Sequence, residues 1–177
     1  PTTMDKQALD MCRDWGPFAI VRPCTVRSEW AAPARNCKPE YIHDCVRILK
    51  EEGTKIVEVS DVDGVNEWVE GDPIDSDIQF TKGELSPMLI ASLMTYAVTT
   101  VAPVGFSLPM GIAGWAPTFI IYGGYIPPHV MVDPRMDLSV YGEAYPNPFC
   151  ECYKRTHASC RKNIPHLEQT FTTFLER

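Results

Sequence analysis

Leu85-Ser-Pro-Met-Leu-Ile-Ala-Ser-Leu-Met-Thr-Tyr-Ala-Val-Thr-Thr-Val-Ala102 and its continuation, Pro103-Val-Gly-Phe-Ser-Leu-Pro-Met-Gly-Ile-Ala-Gly-Trp-Ala-Pro-Thr-Phe-Ile-Ile-Tyr-Gly-Gly-Tyr-Ile-Pro-Pro128, form 44 residues without an Asp, Glu, Lys or Arg. A stretch this apolar is driven out of water. Its first part predicts a central helix over about 86–102. Ser86 caps the free N–H groups, Pro87 suits the first helical position, and Pro103 supplies a stop. Apolar residues cover most of that helix's circumference, so it packs at the centre of a domain or enters a bilayer. The segment before Pro103 is about 16 residues long, just short of the roughly 20 a span requires. Length therefore leaves both readings open. Thr118 to Tyr122 reads as a short buried strand closed by Gly123-Gly124.

Working outward, residues 4–14 suit an amphipathic helix ended by Gly16-Pro17, and Phe18 to Arg22 a strand. Pro39 opens a helix to Glu51, with Tyr41, Ile42, Cys45, Val46, Ile48 and Leu49 as its buried stripe. A strand over 54–59 follows the Gly53 stop. Downstream, His129–Asp133 and Met136–Tyr141 predict strands, and Pro165–Leu175 a closing helix. The expected fold class is α+β: helices packed on a mostly antiparallel sheet around the central apolar helix, braced by disulfides. Residues 1–177 are expected to form one compact domain, with 60–84 as the place where it would subdivide.

The net charge of −7 is concentrated. Residues 56–84 hold nine acidic side chains and one basic one, whereas 1–55 hold eight and nine, and 129–177 six of each. An acidic balance with one acidic block argues against nucleic-acid binding, which needs a basic face. The patch of Lys154, Arg155, Arg161 and Lys162 reads as a solvated face.

Seven cysteines, Cys12, Cys24, Cys37, Cys45, Cys150, Cys152 and Cys160, fall into two groups and are disulfide candidates in an oxidising compartment. The start at Pro1 carries no signal-peptide pattern and fits a chain whose leader has been removed. Two metal sets are conceivable. Cys150, Cys152, His157 and Cys160 offer three sulfurs and an imidazole to zinc, although the Cys-X-Cys start is tighter than usual. Asp61, Asp63, Asn66 and Asp72 offer oxygens to calcium, but the glycine spacing departs from an EF-hand loop. His129 and Asp133, with His157 or His166, are a nominal acid/base or metal set, and no phosphate loop, serine elbow or dinucleotide glycine pattern is present. No catalytic residue is assigned.

The expected function is therefore an extracytoplasmic, disulfide-stabilised binding protein, a secreted effector, toxin-like or surface protein, acting without catalysis and without a required cofactor. Its partner would be a protein or a cell surface. A membrane-associated or membrane-inserting subunit using 85–128 is one alternative, and a metal-dependent or thiol enzyme another.

Overall fold

The computed structural model describes residues 3–30, 34–152 and 160–177. In chain order its helices are α1 (Thr3–Cys12), α2 (Pro39–Glu51), α3 (Pro87–Met94), α4 (Ser107–Gly114), α5 (Pro128–Met131) and α6 (Leu167–Leu175). The strands are β1 (Phe18–Val21), β2 (Thr25–Arg27), β3 (Lys55–Val59), β4 (Glu67–Val69), β5 (Ile78–Phe80), β6 (Thr100–Pro103), β7 (Thr118–Ile121) and β8 (Tyr141–Ala144).

Six strands form one sheet in the order β5-β3-β1-β6-β7-β8, and every neighbouring pair is parallel. Strands β2 and β4 pair separately and antiparallel. The chain starts in the middle of the sheet at β1, winds out through β3 to β5, returns across the opposite face in α3, and winds the other way through β6, β7 and β8. This is a doubly wound α/β arrangement with strand order 3-2-1-4-5-6. The expected antiparallel α+β sheet around a central helix is overturned, because the connections between sheet strands are crossovers rather than hairpins.

Helices cover both faces. Ala19 and Val21 of β1 point toward α2 and α6, where Ile42, Leu49, Phe171 and Phe174 complete one core. Phe18 and Ile20 point the other way, into a core with Leu89, Leu93 and Met94 of α3 and Ala8 of α1. Ala102, Ile120 and Tyr122 meet Leu108 of α4 and Val132 in a third cluster. Strands buried on both sides read as continuous apolar runs, and β1 and β7 are buried at every position.

This explains the uncharged run. It is α3, β6, α4 and β7 in succession, the middle of the sheet with its helical cover. The helix predicted to reach 102 ends at Met94, where the Thr95 hydroxyl turns back to donate to the Ser92 carbonyl at 2.7 Å. Thr99, Thr100 and Val101 then enter the sheet, fully buried, as β-branched residues favour. No helix among the described residues is long and apolar enough to cross a membrane. The stretch expected as a strand at 129–133 holds the single turn of α5, and the strand expected over 136–141 begins only at Tyr141.

The disulfide brace is also overturned. Among the described residues no two cysteines are joined by a disulfide. Cys24 and Cys37 have Sγ atoms 3.5 Å apart, against about 2.05 Å for a disulfide. Cys12, Cys24, Cys37 and Cys45 are buried and act as small apolar side chains; Cys24, Cys37 and Cys45 lie in the α2 core and Cys12 in the α3 core.

Candidate functional site

In a doubly wound sheet the connections leave neighbouring central strands in opposite directions, which opens a crevice outside their carboxyl ends. Here that point lies between β1 and β6, and a cavity of about 1060 Å³ occupies it. Each contributing strand delivers the residues just past its end. β1 delivers Arg22, β3 delivers Ser60 and Asp61, β6 delivers Val104 to Ser107, and the loop after β7 delivers Tyr125 and Ile126. The start of α3 at Ser86-Pro87 and the start of α4 at Ser107 both open on the crevice, bringing the positive ends of two helices to it.

Arg22 carries the main charge. Its guanidinium lies 5.8 Å from the Phe106 ring centroid and makes no ion pair with the described residues. Burial pulls its pKa below the ordinary arginine value, Glu67 and Asp61 pull it up, and Arg27 pulls it down. An arginine remains a cation throughout, so Arg22 puts a fixed positive charge in the crevice, in which Asp61 and Glu67 also stand. Arg27, from β2, is paired with Glu67 of β4. Asn36 donates to the Thr25 carbonyl at 2.9 Å and to Glu70 at 3.0 Å, which fixes the opposite wall.

Ser60 adds a second signal. It is 3 % exposed, lines the cavity, and its hydroxyl has no hydrogen-bond partner among the described residues. An orphaned buried hydroxyl costs about 1–3 kcal/mol and is best explained by an absent ligand or water. Asp61 was singled out from sequence, as a calcium ligand, and Ser86 and Pro87 as a helix start, but Arg22 and Ser60 were not. The signal for those two was positional: a basic or hydroxyl residue directly after a mostly buried strand of a βαβ unit.

Of the residues singled out from sequence, Cys150, Cys152 and Cys160 converge, with all three sulfurs within 4.8 Å of one another. They close over Gly124, whose carbonyl accepts from the Cys152 N–H at 2.9 Å. Burial, together with hydrogen bonding to the Cys150 and Cys160 thiols, pushes Cys152 up to about 12. His157, Lys154 and Arg155 lie outside the described residues.

The acidic set is placed differently. Asp63 accepts from the N–H groups of Val65, Asn66 and Glu67 and from the Asn66 amide at 2.6–3.0 Å, so its oxygens serve the turn. Asp61 instead bridges to Lys82 through the backbone. Among the described residues, Cys150, Cys152 and Cys160 are the one group of three or more such side chains that comes within ligand range.

His129 and Asp133 do not form an acid/base pair. His129 lines a smaller pocket of about 470 Å³ with Glu143, while Asp133 is held by Arg135. Tyr141, which lines that pocket, has its hydroxyl 2.7 Å from that of the buried Tyr122 and donates to Glu143. Burial pushes Tyr122 up to about 12 and Tyr141 higher still. His166 stands at the N-cap of α6.

No family profile and no curated protein matches the sequence. Solved structures do. The glycosyl transferase family 9 protein from Veillonella parvula DSM 2008 aligns over 99% of this chain and 52% of its own, with TM-score 0.60 and 14% identity. The iron-containing dodecameric glycosyltransferase TibC from enterotoxigenic E. coli H10407 aligns over 90% of this chain and 41% of its own, with TM-score 0.52 and 14% identity. At this identity the likeness is one of fold, and the chain spans about half the length of the structures it matches. The reading as a disulfide-stabilised, non-catalytic effector or toxin is corrected by these findings: no disulfide joins the described cysteines, and the two solved structures named here are glycosyltransferases.

Proposed function

We propose that this chain is the nucleotide-sugar-binding half of a glycosyltransferase, with the crevice between β1 and β6 taking the diphosphate of an activated sugar. The observation that carries the reading is the half-buried Arg22 at the switch point, without an ion pair to the described residues, beside the starts of α3 and α4 and the orphaned Ser60 hydroxyl. Helix starts and a half-buried guanidinium are both complementary to phosphate. In glycosyl transfer the bond from the sugar's anomeric carbon to the diphosphate oxygen breaks while a bond to the acceptor oxygen forms. Negative charge then gathers on the departing diphosphate. Arg22 and the first turn of α4 are positioned to stabilise that charge, and their effect is enlarged by exclusion of water. The acceptor and the remaining groups would come from the half of the protein this chain does not contain.

Calorimetric titration with ADP, UDP and GDP tests this. One of the three is expected to bind, and Arg22→Ala to weaken it about tenfold or more, the value of a charge-assisted hydrogen bond. Equal affinity in wild type and variant would sink the assignment.

A second reading concerns a metal. Tetrahedral thiolate coordination at about 2.3 Å sets sulfurs roughly 3.8 Å apart. Cys150, Cys152 and Cys160 fit that spacing with little movement, and a soft sulfur set selects zinc or iron. The neighbour described as iron-containing lends support. Three thiolates leave a fourth position, and a site in which a further protein ligand fills it supplies a structural brace rather than substrate chemistry. Native mass spectrometry with metal analysis checks it, with loss of the ion expected in Cys160→Ser.

A further inference from the structure

Gly123 and Gly124, just past β7, are wedged between two parts of the molecule. On one side, a Cβ at Gly124 would sit 2.1 Å from the Cys160 Sγ and 3.4 Å from that of Cys152. On the other, a Cβ at Gly123 would sit 2.4–2.5 Å from the carbonyl oxygens of Ala34, Arg35 and Asn36. Real side chains do not occupy such space, so the backbone itself makes both contacts. The residues on either side of this wedge are crevice residues: Tyr125 and Ile126 follow Gly124 directly, and Arg35 and Asn36 line the opposite wall.

We propose that metal loading of the Cys150, Cys152 and Cys160 centre seats the Gly123-Gly124 turn against Arg35-Asn36 and thereby orders the crevice wall that binds the nucleoside diphosphate. This rests on the two readings above and joins them. Without an ion, the three neighbouring thiols are linked to one another by weak hydrogen bonds, beside the Cys152 N–H bond to the Gly124 carbonyl. With an ion, the sulfurs acquire fixed mutual positions, and Gly124 has one place left beneath them. The turn then transmits that position to both walls. Because the coupling is thermodynamic, it runs both ways: bound nucleotide tightens the metal by the same factor.

The test uses the intact chain, Zn2+ as the metal probe, and ADP, UDP and GDP as nucleotide probes. Amide hydrogen exchange is followed with and without Zn2+, and nucleotide affinity is measured in the same two states. Zn2+ is expected to slow exchange at 34–36 and 122–126 and to strengthen nucleotide binding about tenfold, within the usual range of coupling between two sites. Cys160→Ser and Gly124→Ala are expected to stay at the metal-free level of both measurements when Zn2+ is added; the serine variant introduces no new bulk, so it remains informative if the alanine variant fails to fold. Zn2+ binding without altered exchange at 34–36 and 122–126 overturns the proposal, as does altered exchange with unchanged nucleotide affinity. Failure of Zn2+ to bind removes the metal reading and the proposal with it. Altered exchange with no nucleotide bound in either state removes the crevice reading alone and leaves the ordering of the wall supported.

Discussion

Asp63 shows how a residue's partners decide its chemistry. The backbone N–H groups of Glu67 and Val65, then the amide and backbone of Asn66, stabilise its carboxylate and hold its pKa well below the usual range. A depressed folded-state value means that its contribution is complete above the unfolded value of about 3.9 and is lost only as pH falls through the lower folded value. Carboxyl NMR should therefore find Asp63 still ionised at about pH 3.9, where exposed aspartates titrate. A midpoint at the ordinary value would show that the turn does not close on this side chain. Gly111 illustrates a constraint of space instead. A Cβ there would lie 2.0 Å from the Thr118 Oγ1, because α4 packs its backbone directly on β7. Gly111→Ala is expected to cost about 1–3 kcal/mol in denaturant unfolding, the range for overpacking, despite alanine's better helix propensity.

Among the elements, α6 depends on packing rather than on its own ends. Its N-cap, His166, makes no capping hydrogen bond from its side chain, whereas Phe171 is fully buried with its ring 4.8 Å from that of Phe119 on β7. Phe171→Ala is expected to destabilise the protein by about 3–5 kcal/mol, read as a shift in the unfolding midpoint. A loss below 1 kcal/mol would mean that α6 is not anchored through this ring. The α2 helix was legible from its Pro39 start, its apolar stripe and its Gly53 stop, all of which are local. Elements whose identity depends on neighbours were not. Thr99 to Val101 follows a good helical pattern without a break, and only the empty position between β1 and β7 makes it a strand. The 129–133 segment reads as a strand, but it lies in the crossover from β7 to β8 and holds one helical turn.

At the scale of the whole molecule, cysteine usage carried the wrong inference. Clustered cysteines suggested cross-links, yet four serve as small core side chains and three gather at one surface. Alkylation in denaturant without reductant is expected to label all seven; any thiol that becomes reactive only after reduction would count against the free-thiol arrangement.

The sequence by itself determined where α2 begins and ends, where β1, β3 and β7 lie to within one residue at one end, and which three sulfurs are near neighbours along the chain, because apolar periodicity, caps and short spacings act locally. The tertiary structure alone decided that the strands run parallel, that β6 fills the place beside β1, and that Arg22, Ser60 and the α4 start share one crevice. Those facts depend on crossover connections bringing together residues up to 85 positions apart, from Arg22 to Ser107, and no local pattern records which strand ends will meet.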